Sequence, residues 1–344
     1  MKYRLEAYNI WQLGQRSNQE DSIFPEYGKV SATDRLFILC DGMGGHSSGE
    51  VASQTVCSAM SESVFRHSPD AEGPFTAADF ETVLSETYNV LDTKDDGAGK
   101  KMGTTLTFLK FHAGGTLIAH IGDSRVYHIR PGKTAEETRI LFQTEDHSLV
   151  NDLIKVGELT PEEAKYSTQK NVITRAMQPN MERRSKADIH NIEDIRPGDY
   201  FMMCSDGILE QLEDENIEYI FSDKAGNAKK KVEMLEKVTE HNRDNHSAIL
   251  VHVTEVLPSV AELKQISAAS PEKVERAAAA TASGKEEAKA KAKAKAPCRH
   301  QLSVTNLLLI LSVILLAISG YIIYRHNSGK GLPKIEIGRQ MQIK

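Results

Sequence analysis

Short apolar runs alternate along this chain with stretches in which apolar residues recur every three or four positions. Residues 3–11 alternate around Leu5, Ala7, Asn9 and Trp11, which predicts a strand with one buried face. Arg35–Cys40 and Tyr200–Cys204 are strand-length apolar runs. The first stops at Asp41-Gly42 and the second at Ser205-Asp206-Gly207. Gly103–Phe111, Thr116–Ile121, Arg125–Arg130 and Arg139–Gln143 follow one another closely. Connections this short predict antiparallel pairing, because parallel neighbours need a longer crossover. Ala187–Ile192 and Ser247–Val256 are the remaining predicted strands. Helical spacing marks Gly49–Arg66 and a second segment capped by Thr76 that carries Phe80, Val83, Leu84, Tyr88 and Leu91. Shorter helices are expected over Ser148–Val156, from Thr160-Pro161, over Asp214–Phe221 and over Lys229–His241. The polar stretch Gly14–Ser22 reads as a loop or a binding segment.

The pattern changes after Pro258, where Ala and Lys dominate without a core-forming stripe. The expected organisation is a folded domain over 1–257, an Ala/Lys-rich linker over 258–301, a transmembrane helix over 302–324 and a short extracytoplasmic tail over 325–344. Leu307–Tyr324 is almost wholly apolar, and about 20 helical residues cross roughly 30 Å of hydrocarbon. Lys285 to Arg299 outnumber the basic residues after the span, and the N-terminus shows no signal peptide. Both observations predict a folded domain in the cytoplasm, attached to the membrane by a single pass. The linker lysines are also suited to anionic lipid headgroups.

Composition narrows the chemistry. The formal charge of −6 gives no sign of a nucleic-acid partner. The four cysteines form no Cys-x-x-Cys pair, and none is followed by Arg at the sixth position, so a cysteine-based phosphatase loop is absent. Acids instead flank the predicted strand ends, in Glu20-Asp21, Asp41-Gly42, Gly122-Asp123, Asp206-Gly207 and Asp244-Asn245. Carboxylates without His or Cys partners suit hard cations such as Mg²⁺ or Mn²⁺. Each acid alone is more often a turn or a cap, and spacing does not show that they converge.

Convergence is implied by a resemblance. The segments Arg16–Asp21, Asp41–His46, Gly103-Thr104-Thr105, Gly122–Arg125, Asp146-His147-Ser148, Asn171–Ala176, Ser205-Asp206-Gly207 and Asp244-Asn245 resemble, in order, the signatures of the metal-dependent protein phosphatase (PPM, protein phosphatase 2C type) family, and its bacterial members most. The resemblance covers roughly residues 7–254. It implies an α+β fold, a four-layer α-β-β-α sandwich of two antiparallel sheets flanked by helices. It also implies a serine/threonine phosphoprotein phosphatase that opposes Ser/Thr kinases, with attack by a hydroxide bridging two Mn²⁺ or Mg²⁺ ions. By the same resemblance Asp41 bridges the metals. Glu20 and the carbonyl of Gly42 serve one metal, and Asp206 and Asp244 the other. Asp21 orients water and Arg16 holds phosphate. A third metal is implied at Asp123, Asp206 and Glu210, although Glu210 stands where relatives more often carry Asp. Met43 occupies the place of a proposed proton donor in many eukaryotic members, and His46 does not inherit that role. Asp146–Lys170 resembles the flap beside the site. Implied partners are phosphorylated proteins, a cognate kinase and membrane lipid. The competing readings are a phosphatase of an anti-sigma antagonist and a catalytically weak phosphoprotein-binding module.

Overall fold

The computed structural model describes residues 2–44, 48–95 and 102–258. Apart from Pro258, the expected linker, the transmembrane helix and the tail lie outside the described residues, as does His46. No helix among the described residues is long and apolar enough to cross a membrane.

Two antiparallel sheets carry the fold. The first has the order β1 (Lys2–Gln12), β11 (His246–Leu257), β10 (Tyr200–Cys204), β7 (Arg125–Arg130) and β8 (Arg139–Gln143). The second runs β2 (Asp21–Phe24), β3 (Leu36–Met43), β5 (Leu106–His112), β6 (Gly115–Ile121) and β9 (Asp188–Ile192), with the short β4 (Gly103–Thr104) beside β3. Helices α1 (Ser48–His67) and α2 (Ala77–Asp92) cover the second sheet. Helices α6 (Asp214–Phe221) and α7 (Ala228–Thr239) cover the first. Two short helices, α3 (Leu149–Lys155) and α4 (Pro161–Lys165), precede β9, and the single turn α5 (Asp206–Leu209) follows β10.

The layering explains why the central strands read as continuous apolar runs. In β3, Leu36, Ile38 and Cys40 face α1 and α2, while Phe37 and Leu39 face the opposite sheet. In β10, Tyr200, Met202 and Cys204 pack on the α6 and α7 side, while Phe201 and Met203 fill the space between the sheets. With period two and both faces covered, every position must be apolar. Phe111 centres the inter-sheet layer, with its ring 5.4 Å from Tyr3, 6.4 Å from Phe37 and 5.3 Å from Phe201. Capping boxes at Thr76 and Thr160 start α2 and α4.

Three departures from the pattern matter for the site. β3 continues through Asp41 and Gly42 to Met43, so Asp41 lies inside a strand. The ladder persists because β2, which begins at Asp21 within the expected polar loop, pairs with it. Asp206 opens α5 rather than ending a strand. The largest departure concerns β6 and β7, which the short Gly122-Asp123-Ser124 connection marks as an expected hairpin. They belong to different sheets. Gly122 sits at φ +109°, which only glycine adopts freely, and that turn sends the chain across the sandwich edge.

Candidate active site

Acids from separate segments meet at one edge of the sandwich. The β2–β3 register sets Asp21 opposite Asp41. Asp41 is held by its backbone: its N–H donates to Thr105 Oγ1 at 2.9 Å. Its carbonyl accepts from Thr104 Oγ1 at 2.9 Å and from the Thr105 N–H at 2.8 Å. Gly103-Thr104-Thr105 therefore anchors the strand that presents Asp41. Gly42 permits the next approach. A Cβ there would stand 2.3 Å from the Gly49 carbonyl oxygen and 2.6 Å from that of Glu20. The start of α1 and the Glu20 backbone consequently close on the Asp41-Gly42 segment.

Asp21 is 2% exposed. Its Oδ2 accepts from Ser205 Oγ at 2.9 Å, and Ser205 Oγ accepts the Ser247 N–H at 3.0 Å. Asp21 Oδ1 is buried with no partner. Burial pushes the Asp21 carboxyl up to about 7, and the charges of Asp206 and Asp244 add to that push. Asp41 is also raised, by burial and then by Asp21 and Asp206, although it stays partly open to solvent. Asp206 is raised by burial and by Asp244, and a hydrogen bond with Asp41 opposes the rise. Asp123, on the crossing turn, has an unpartnered buried Oδ1. Burial, with the charges of Asp206 and Asp146, pushes it up to about 7.

Asn245 ties the remaining segments together. Its Oδ1 accepts the Glu20 N–H at 2.8 Å, and its Nδ2 donates to the carbonyls of Leu13 at 2.8 Å and Asn18 at 3.0 Å. Its place after Asp244 was the only sequence signal for this role. Arg16 pairs through Nη2 with Asp244 Oδ2 at 2.5 Å, and the Arg16 side chain remains 55% exposed. Glu210 differs from the other acids. Its two oxygens accept the backbone N–H groups of Arg243 at 2.9 Å and Asp244 at 3.3 Å, so it straps the loop that carries Asp244. A cleft of about 680 Å³ leads from Asp123, Asp206 and Asp244 to α3 and α4, where Lys165 and Lys170 line its far side.

The protein phosphatase 2C family model matches residues 13–252. A putative protein phosphatase 2C-type of Streptococcus pyogenes is 32% identical over 70% of this chain and 94% of its own length. The crystal structure of the Mycobacterium tuberculosis serine/threonine phosphatase PstP/Ppp superposes with a TM-score of 0.60 at 27% identity, over 73% of this chain and all of that one. A structure of the PstP catalytic domain in complex with two manganese ions gives a TM-score of 0.58 at 28% identity, over 74% of this chain and 100% of its own. With the sandwich and its edge of converging acids, these matches establish that the chain belongs to the protein phosphatase 2C family and is a serine/threonine protein phosphatase.

Proposed function

We propose that the enzyme hydrolyses phosphoserine and phosphothreonine in proteins at a centre of two Mn²⁺ or Mg²⁺ ions held by Glu20, Asp41, the Gly42 carbonyl, Asp206 and Asp244. One electrostatic observation carries this reading: carboxylates from distant segments gather where burial disfavours their charge, and Asp21 and Asp123 each keep a buried oxygen without a partner. Such a group either takes up protons or binds cations. Oxygen donors without His or Cys fit hard divalent ions. When bound, the cations would acidify a water and stabilise the charge developing on the phosphoryl oxygens.

The chain's own groups then have distinct tasks. Ser205 fixes Asp21 Oδ2, which leaves Oδ1 to accept a hydrogen bond from water inside the cluster. Arg16 is oriented by Asp244, and the rest of its planar fork can hold a phosphate oxygen. Asp123 and Asp206 would share a third cation. The strap from Glu210 to the Asp244 loop supports a positioning task for Glu210, in place of the direct ligand role implied by resemblance. Substrates would be phosphorylated proteins, supplied by a Ser/Thr kinase. The apolar run Leu307–Tyr324 and the lysines before it support a membrane-tethered enzyme with its domain in the cytoplasm, its linker lysines drawn to anionic lipid.

Metal removal is the direct test. The protein should be inactive toward a phosphothreonine peptide in chelator and recover with Mn²⁺. Asp41→Asn and Asp206→Asn should remain folded while losing at least about a hundredfold in activity. Full activity in Asp206→Asn would sink the two-metal centre.

Stability without metal should depend on pH with a fixed sign. Asp123 moves from an ordinary 3.8 to about 7 in the folded protein, so the folded state binds its proton more tightly than the unfolded state does. Its favourable contribution is complete below the ordinary value and is lost as pH rises through the folded one. The Tm of metal-free wild type should therefore fall, relative to Asp123→Asn, between pH 4 and 7, and Mn²⁺ should reverse the fall. Parallel Tm curves for the two proteins would remove the electrostatic argument.

Arg16→Ala should raise KM for phosphopeptides, with a smaller loss in kcat. Kinetic constants equal to wild type would show that Arg16 is only the surface partner of Asp244. For the membrane reading, protease added to intact cells should spare the domain. Its digestion with the membrane intact would reverse the orientation.

A further inference from the structure

His120, His147 and Asp188 lie beside the acid cluster but outside it. Each offers one ligand atom, and these atoms fall within 4.8 Å of one another. That spacing could suit a cation, but the hydrogen bonds around His147 already engage both of its ring nitrogens. The Gly122 N–H donates to His147 Nδ1 at 3.1 Å, so that nitrogen carries a lone pair and no proton. A neutral ring then carries its proton on Nε2, which donates to Asp188 Oδ2 at 3.2 Å. A cation at Nε2 would have to remove that proton and would meet the Arg175 guanidinium, whose Nη1 donates to Asp188 Oδ1 at 2.9 Å. Arg175 Nη1 also lies 3.1 Å from Nε2, a contact without a free lone pair in this tautomer. Burial favours the neutral form of both rings, and they stack with centroids 4.5 Å apart.

His147 grips Gly122 twice, since its own backbone N–H donates to the Gly122 carbonyl at 2.9 Å. Its carbonyl accepts the Thr174 N–H at 2.8 Å, which attaches the segment leading to Arg175. On either side of His147, Asp146 receives Arg125 through two bonds of 2.7 Å, and Ser148 caps α3. At the other end of the turn, Ser124 Oγ bonds Thr105 Oγ1 at 2.8 Å, and Thr105 Oγ1 accepts the Asp41 N–H. The crossing turn Gly122-Asp123-Ser124 is thus clamped at both ends.

We propose that His147 is a positioning residue of the active site: held in its Nε2–H tautomer by Asp188, it fixes Gly122 and so sets where Asp123 presents its carboxylate. Arg175 holds the outer end of this relay through Asp188. The inference rests on the metal-centre reading of the neighbouring acids, and its first test does not require that reading.

That test uses the full chain labelled with ¹⁵N at histidine, without metal, at pH 7. The His147 ring, identified as the one lost in His147→Asn, should show a protonated Nε2 and a bare Nδ1. A proton on Nδ1 would overturn the proposal. The second test compares substitutions. Asn places an amide oxygen near the position of Nδ1, so His147→Asn should keep most of kcat and of the Mn²⁺ affinity measured by calorimetry. His147→Gln reaches toward Asp188 instead, and His147→Leu offers no acceptor. Each should lose about tenfold or more in kcat or in Mn²⁺ affinity. If His147→Leu fails to fold, the Asn and Gln pair decides. Asn and Gln variants that behave alike, or a Leu variant equal to wild type, would overturn the clamp. Tautomer and Mn²⁺ binding are read without substrate. A wild-type protein that binds Mn²⁺ but hydrolyses nothing would therefore fail the phosphatase reading separately.

Discussion

Mutual repulsion among Asp21, Asp41, Asp123, Asp206 and Asp244 is the constraint that the edge of this sandwich is built to withstand. Two like charges about 4 Å apart cost on the order of 4 kcal/mol at the effective dielectric near a protein surface, and more as water is excluded. Left alone, these segments would move apart or their acids would protonate. Burial raises the carboxyls of Asp21 and Asp123, and the charges of neighbouring acids add to the rise. Both acids are nonetheless seated deep in the fold.

What holds them is mostly backbone. Thr104 and Thr105 fasten the Asp41 peptide groups. Asn245 joins the Glu20 segment to the Asp244 loop, and Glu210 straps that loop from the other side. Peptide groups thereby carry much of the mechanical load, although both Asp244 oxygens are also engaged, Oδ2 by Arg16 and Oδ1 by the Asn245 N–H at 2.8 Å. The two sheets give these bonds a rigid base, because the Phe111 layer between them fixes how the strand ends meet. Preorganisation of this kind lets a charged site act without reorganising at the moment of reaction.

The turn between β6 and β7 has the same logic at a finer scale. It is a three-residue connection between the two sheets, and it carries a buried acid. Held only by its own three residues, it could swing Asp123 toward solvent and relieve the repulsion. His147 on one side and Thr105 on the other oppose that movement. The segments Asp146-His147-Ser148 and Asn171–Ala176, which have no acid among the expected metal ligands, find their place as supports of this turn.

Much of this was legible along the chain. Continuous apolar runs at Phe37–Cys40 and Tyr200–Cys204 required strands covered on both faces, and Thr76 and Thr160 marked helix starts, because local periodicity and capping act within a few residues. Ordered motifs marked the acids. The order of strands was not legible: β1 pairs with β11 across nearly the whole domain, and β6 parts from β7 after a turn shaped like a hairpin. Pairing of that kind depends on which faces are buried, which no local pattern records. Nor could spacing show that Glu210 accepts two backbone N–H groups, that Arg16 leans on Asp244, or that His147 carries its proton on Nε2. The sequence by itself determined which residues could do chemistry and which runs must be buried. Tertiary structure alone decided which acids meet and what holds them, because those contacts join residues separated by as many as 232 positions and exist only once both sheets have closed on their shared core.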